Sequence, residues 1–414
     1  MTATAKDNVL FISYDGMTDQ LGQSQILPYL FGISASGKYN VTLLSFEKKG
    51  RLQQHGDHIR KICKDNNIDW QPQIFHTSPP ILAKYYDLYN MKQKAFELHS
   101  KKNFKLIHCR SYLSIEIGLA MKKKFGCKVL FDMRGFWVDE RVDGGLWDIS
   151  KPLYKRAYKT YKKKENDFIT HSDHIISLTE AGKTEMKKWS GFNQYVPISV
   201  IPCAADFDVF SLVHAEEKAK TRVRLGYSKD EMVLSYLGSL GTWYLLDEML
   251  DFFKVVKQQY SNAKFLFLTA EPAEMIYNKV KEKGIDAADI KVMFAKRDEV
   301  ALLTKASDMS LCFIKQAYSK LASSPTKLGE LLAMGIPVVC NGKIGDVEKI
   351  IEMTGGGIVM PECNEHYYHE AVKQIPQMLA HKPGNIRAKA LEYYDLNEAV
   401  HKYLNVYDEL LNHG

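Results

Sequence analysis

The sequence has no run approaching the ~20 apolar residues that a membrane-spanning helix needs. It has no Cys-x-x-Cys pair either. Its seven cysteines, Cys63, Cys109, Cys127, Cys203, Cys312, Cys340 and Cys363, are odd in number and scattered over mostly apolar segments. That usage speaks against a disulfide framework and for reduced thiols in a cytoplasmic protein. Residues 1–8 are polar, and the apolar run after them is too short and strand-like for a signal peptide. There is no low-complexity tail and no convincing metal cluster. The triplet Asp206-Phe207-Asp208 lies in a linker-like segment, so no metal is expected there.

What is present is a globular composition, 45% hydrophobic and 25% charged, over 414 residues. That length is too great for one ordinary core and predicts two domains. The net charge of +7 is uneven. Residues 1–200 carry 31 Lys+Arg against 20 Asp+Glu, or +11, and the remainder carries 25 against 29, or −4. The split fits two domains with different partners.

Strand-like runs alternate with longer amphipathic stretches. In the first half strands are predicted over 9–14, 41–46, 106–109, 129–133, 174–178 and 200–202, with helices over 25–36 and 114–125. In the second half strands are predicted over 233–238, 264–268, 292–294, 309–314, 337–340 and 357–360. Helices are predicted there over 245–260, 273–283, 299–306, 366–379 and 383–394. Such alternation predicts an α/β parallel sheet covered on both faces, and its recurrence predicts two doubly wound, Rossmann-like domains. Ligands of such sheets bind at the carboxyl ends of the strands, so a cleft faced by both domains is the expected site. The boundaries are set at 1–205 for an N-terminal domain and 206–395 for a C-terminal domain. Residues 396–414 form a C-terminal helix expected to pack back on the first domain.

The densest stretch is 323–340. Pro325 opens a helix with hydroxyls on both sides to cap it. Gly335-Ile336-Pro337 stops the helix, and 336–340 reads as a buried strand. A helix N-terminus beside Lys327 suits a phosphate, and Glu330, one turn on, can accept hydrogen bonds from two neighbouring hydroxyls, as a ribose offers. An ordinary capped helix is the competing reading.

The pattern Ser-Pro-Thr-Lys-Leu-Gly-Glu at 324–330, followed by Leu-Ala-Met-Gly-Ile-Pro-Val-Val, resembles the donor-binding segment of the retaining family-4 glycosyltransferases of GT-B fold. Residues 200–210 resemble the same family's entry to its interdomain linker, with Cys203-Ala204-Ala205 in place of Asn-Gly-Val. The resemblance implies that Ser324, Thr326, Lys327, Leu328 and Glu330 bind a nucleoside diphosphate sugar. It also places Gly22 and Gln23, in the polar loop after the first strand, near the donor phosphate and the acceptor.

The sequence departs from the family at three places. The turn after the strand at 233–238 has Gly238-Ser239 where the family has Gly-Arg, and no basic residue follows until Lys254. Gly238 and Ser239 still let a phosphate approach backbone N–H groups, and Lys320 and Lys327 are the cations left to neutralise it. The family's Glu-x7-Glu pair keeps its second member as Glu330, but Ala322 replaces the first. Arg134-Gly135 stands where many members have His-Gly. Arginine is no base at neutral pH, but it holds a phosphate or carboxylate in a bidentate way. With Asp132 and Glu140 it forms the candidate catalytic set at a strand's carboxyl end. Asp139 is a further acceptor-orienting candidate, and a salt-bridge network is the alternative for all of these.

Residues 151–164 contain seven Lys+Arg and no acid, interleaved with Tyr154, Tyr158 and Tyr161. They read as a basic helix with either a solvated face or a contact to anionic lipid headgroups. No nucleic-acid recognition motif accompanies the charge. The expected activity is transfer of a sugar from a nucleoside diphosphate to a glycan or lipid-linked acceptor, with retention and without a metal or other cofactor, as in polysaccharide biosynthesis. The protein is expected in the cytoplasm, peripheral at the inner face of the membrane. A nucleotide-sugar epimerase of the same fold and a non-enzymatic sugar-binding or scaffold protein are the alternatives.

Overall fold

The computed structural model describes residues 6–412. It divides into two compact units, Met1–Pro202 with Leu396–Gly414, and Cys203–Asp395. The first unit runs β1 (Asp7–Ser13), α1 (Gln20–Gln25), α2 (Leu27–Ala35), β2 (Tyr39–Lys48), α3 (Lys49–Asp65) and β3 (Ile68–Phe75). It continues through α4 (Pro80–Lys102), β4 (Leu106–Arg110), α5 (Ser111–Phe125) and β5 (Lys128–Asp132). Then come α6 (Trp137–Asp143), α7 (Pro152–His171), β6 (His174–Ser177), α8 (Glu180–Met186) and β7 (Ile198–Val200).

The second unit runs α9 (Ala215–Leu225), β8 (Val233–Leu237), α10 (Leu246–Gln259), β9 (Lys264–Leu268), α11 (Ala273–Glu282) and β10 (Ile290–Met293). It continues through α12 (Arg297–Thr304), β11 (Met309–Cys312), α13 (Thr326–Ala333), β12 (Val338–Asn341), α14 (Val347–Thr354) and β13 (Gly357–Met360). Helices α15 (Glu365–Leu379) and α16 (Pro383–Tyr394) close it, and α17 (Leu396–Asn412) returns to the first unit.

Each unit is one parallel sheet, in the order β3-β2-β1-β4-β5-β6-β7 in the first and β10-β9-β8-β11-β12-β13 in the second. Strands buried on both faces need continuous apolar runs. Val9, Leu10 and Ile12 of β1 and Phe265, Leu266 and Phe267 of β9 supply them, all fully buried. Both sheets reverse direction once. The chain moves outward from β1 to β3 and then re-enters beside β1 as β4, and it repeats this from β8 to β10 and back to β11. The carboxyl ends of β1 and β4, and of β8 and β11, are therefore where loops diverge and leave room for a ligand.

Several elements lie outside the sequence-based expectation, among them β3, α3, α4, α6, α8 and α14. Strand β3 contains Asp69, Gln71, Pro72 and Gln73, too polar to read as buried. It is an edge strand, where Pro72 removes no ladder bond that the sheet needs. Helices α3 and α4 had no assignment, because charged residues interrupt their apolar periodicity.

Candidate functional site

In the second unit, β8 ends in a turn at Gly238, whose φ of +114° favours glycine. Lys327, in the first turn of α13, reaches this turn from the far side of the switch point. A Cβ on Gly238 would lie 2.8 Å from Lys327 Nζ, so the glycine makes room for the ammonium. Lys327 Nζ donates to Tyr236 Oη at 3.0 Å and lies 3.5 Å from the centroid of the Tyr244 ring. Burial pushes its pKa down to about 8, against smaller opposing effects of Cys312 and Glu330. A cation held by a phenol and two aromatic faces gains a full counter-ion when an anion arrives.

Lys320 is also buried, its Nζ 3.5 Å from the centroid of the Trp243 ring. Glu330 is half-buried on α13, one turn beyond Thr326. The hydroxyl cap expected for this helix is absent. Pro325 occupies the cap position without a side-chain bond, and Ser324 Oγ instead accepts from the Cys203 N–H at 3.2 Å. Leu328 is fully buried in the core, so its side chain packs rather than meets a ligand. Gly329 has the same kind of reason, since a Cβ there would lie 2.8 Å from the buried ring of Tyr394. Ser239 is exposed beside Gly238, and its carbonyl accepts from Tyr236 Oη. Asp206 Oδ1 accepts from the N–H groups of Asp208 and Val209, which makes the Asp-x-Asp triplet a turn.

In the first unit the loop after β1 is tied down by Glu47, fully buried at the end of β2. Its carboxylate accepts from the N–H of Met17 at 2.7 Å, from the N–H and hydroxyl of Thr18 at 3.0 and 2.7 Å, and from Ser45 Oγ at 2.6 Å. Sequence reasoning missed Glu47, since nothing local marks a strand glutamate as buried. Gly16 and Gly22 are glycines for packing, because a Cβ on either would strike neighbouring backbone. Gln23 Nε2 turns back to the Thr18 carbonyl at 3.5 Å.

The register places Ser13, Arg110 and Asp132 side by side at the ends of β1, β4 and β5. Asp132 is 1% exposed and accepts from Tyr403 Oη at 3.1 Å, with His108 Nε2 at 3.6 Å, Arg110 at 3.8 Å and Arg134 at 3.7 Å. Burial alone would raise its pKa, but Arg134, His108 and Arg110 outweigh that and hold it at about 2. Asp132 thus sits as an internal counter-ion between two arginines. Arg134 has a left-handed φ of +59°, a costly conformation for arginine, and it turns the chain sharply after β5. Glu140 is half-buried on α6, while Asp139 accepts from Tyr158 Oη at 2.9 Å and Lys162 Nζ at 3.0 Å as part of a structural network.

Beside Arg110 a cavity of about 420 Å³ opens, lined among others by Asp15, His76, Lys84, Arg141 and Trp147. Of these, Asp15 lies in the polar loop after the first strand, whereas His76 and Lys84 come from a segment with no assigned element.

A family model, Glycosyltransferase Family 4, matches residues 35–209. Comparison with curated proteins finds no match. Among solved structures the chain is similar to a sucrose-phosphate synthase from Thermosynechococcus elongatus, at 14% identity and TM-score 0.73 over 99% of this chain and 100% of that one. It is similar to Anabaena Alr3699/HepE in complex with UDP and glucose, at 14% identity and TM-score 0.69 over 97% and 100%. A protein of Listeria monocytogenes, provisionally named a UDP-N-acetylglucosamine 2-epimerase, is also similar, at 11% identity and TM-score 0.60 over 99% and 98%. At these identities the likeness is one of fold. The fold is GT-B, the glycosyltransferase architecture of two doubly wound parallel-sheet units.

Proposed function

We propose that the protein is a glycosyltransferase that binds a nucleoside diphosphate sugar in its second unit and transfers the sugar, with retention, to an acceptor glycan carried on a lipid. The observation behind this reading is the placement of Lys327 against the Gly238 turn at the switch point between β8 and β11. There a buried cation and a close backbone approach address the diphosphate, and Glu330 on the same helix addresses the ribose. Lys320 adds a second cation, offsetting the missing arginine after Gly238. Catalysis then comes from positioning the donor and stabilising the departing diphosphate, without a metal. Several of the similar structures contain UDP, UDP-glucose or a UDP-sugar analogue, so UDP-glucose is the first donor to test.

The experiment is a thermal-shift screen of nucleotide sugars followed by turnover with the donor that stabilises most. Glu330→Ala should lose roughly 1.5–3 kcal/mol, or about 10- to 150-fold, in donor affinity, the scale of a charged hydrogen bond. Unchanged affinity in a folded variant removes Glu330 from the site. An epimerase is the second reading, favoured by the similar Listeria structure. It would convert the donor with no acceptor present, whereas a transferase needs one. Binding without any turnover would instead mark a sugar-binding or scaffold protein. The anomeric configuration of the product, read by NMR, decides retention.

A further inference from the structure

The cavity of about 420 Å³ beside Arg110 lies wholly within the first unit and has a composition of its own. Lys84 from α4 and Arg141 from α6 both lie over the indole of Trp137, with Lys84 Nζ 5.1 Å and Arg141 Cζ 4.4 Å from its centroid. Among the described residues neither is ion-paired. Glu116 and Glu140 act on them only at longer range. Arg110, 5% exposed, is the third cation; its Nε has no hydrogen-bond partner, and behind the lining it shares the Asp132 counter-ion, at 3.8 Å, with Arg134. Asp15 Oδ2, at 3.5 Å from that Nε, is the one carboxylate in the lining. The walls therefore carry more positive charge than they neutralise, in a place where water screens it poorly.

The apolar part of the lining suits a sugar ring. Trp147 meets Trp137 edge to face, with centroids 5.8 Å apart. His76 supplies a directed polar group. Its Nδ1 is 2.6 Å from Asp87 Oδ1, and the fully buried Asp87 also accepts from the His76 N–H at 3.0 Å and from Tyr14 Oη at 3.2 Å. With Nδ1 engaged, Nε2 is the ring nitrogen left for a ligand.

We infer that this cavity seats a sugar bearing an anionic group, a carboxylate or a phosphate ester, with Lys84, Arg110 and Arg141 around the anion and the two indoles against the ring. That this sugar is the acceptor rests on the transferase reading above; that it binds here does not. Guanidinium and ammonium groups together accommodate either anion, so the experiment separates the two sources.

Trp137 and Trp147 report binding by their fluorescence. Glucuronate, glucose 6-phosphate, glucose and inorganic phosphate are titrated into the full-length protein, with UDP titrated in parallel as a reporter of the second unit. At least one anionic sugar should bind ten times or more tighter than glucose, and the tighter of the two names the anion. Lys84→Met and Arg141→Gln should each weaken it about tenfold while UDP affinity stays unchanged. Equal affinity for glucose overturns the inference, as does inorganic phosphate binding as tightly as the sugars, which would make the cavity a plain anion site. Undiminished binding in the Lys84→Met/Arg141→Gln double variant overturns it too. If Lys84→Met loses the fold, Arg141→Gln and the charge-keeping Arg141→Lys carry the same comparison, with the second expected to retain most affinity. Loss of UDP binding in the wild type would instead strike at the transferase reading and leave this one standing.

Discussion

Lys327 shows how one residue can be legible in a sequence and still act by means the sequence hides. Its place after Pro325 marks it as a phosphate ligand by resemblance. The depressed pKa comes from burial, which outweighs the smaller opposing effects of Cys312 and Glu330, and the rings of Tyr236 and Tyr244 that lie against the ammonium come from a distant part of the chain. The sign of the pH effect follows. Below about pH 8 the free protein holds Lys327 charged and ready for a diphosphate. Above that it is neutral, and binding must recruit a proton. UDP affinity should therefore fall by up to about tenfold per pH unit above pH 8, if a bound diphosphate restores the ordinary lysine pKa. Uridine provides the reference, because the ionisation of its base cancels in the UDP-to-uridine ratio. A ratio that is flat from pH 7 to 9.5 by calorimetry would show that Lys327 does not touch phosphate, and Lys327→Met should produce that flat ratio. Asp132 illustrates the opposite case. It was legible as a strand-end carboxylate, but its burial among His108, Tyr403 and two arginines, which holds it ionised, was not.

At the scale of elements, strands and helices were legible wherever one signal dominated. The apolar run of β9, the Pro383 start of α16 and the amphipathic α10 needed no tertiary knowledge. β3, α3 and α4 failed because their signals mix, and the cavity at Arg110 was lost with them, since His76 and Lys84 follow β3. α7 was legible as a basic helix, but not the division of its charge. Lys162 pairs with Asp139 and Glu165 and lies 4.5 Å from the Trp189 centroid, while Lys164 pairs with Glu116 at 2.8 Å. Those two belong to the fold. Lys155, Arg156, Lys159 and Lys163 are exposed, and Leu153, on the same helix, and Leu146, just before it, are more than 60% exposed as well. Exposed leucines beside exposed cations suit an anionic membrane surface, where each cation is worth about 1 kcal/mol. Replacing Lys155, Arg156, Lys159 and Lys163 with Gln should abolish co-sedimentation with anionic vesicles at low salt. The wild type should lose it at 1 M salt, where the Debye length falls to ~3 Å. If the wild type ignores such vesicles at low salt, the helix face is merely solvated. No helix among the described residues is long and apolar enough to cross a membrane.

At the scale of the whole molecule, the second unit is one continuous stretch, but the first is completed only by α17. The apolar stripe of that helix, Ala399, Val400, Tyr403, Val406, Tyr407 and Leu410, is visible in the sequence, whereas its partners, some 300 residues upstream, are not. Tyr407 Oη is 2.7 Å from His108 Nδ1, and Tyr403 Oη donates to Asp132. A Cβ on Gly32 would lie 2.6 Å from Val400, so α2 and α17 pack backbone-close. Asp408 receives Lys38 at 2.6 Å and the hydroxyl of Tyr39. A chain ending at Asp395 would bare this apolar face and leave His108 and Asp132 without their phenol partners. Each orphaned buried group costs about 1–3 kcal/mol, and each large apolar side chain adds a similar amount. Together these losses match the ~5–15 kcal/mol that holds an ordinary domain folded. In the truncated chain, hydrogen exchange should therefore show β1–β7 unprotected, while β8–β13 stay protected and UDP still protects the turn at Gly238. Melting should split in the same way, with loss of the transition that anionic sugars stabilise and survival of the one that UDP stabilises. Protection of β1–β7 at the intact level would instead mean that the first unit's sheet and remaining helices suffice and that α17 is an accessory to its surface.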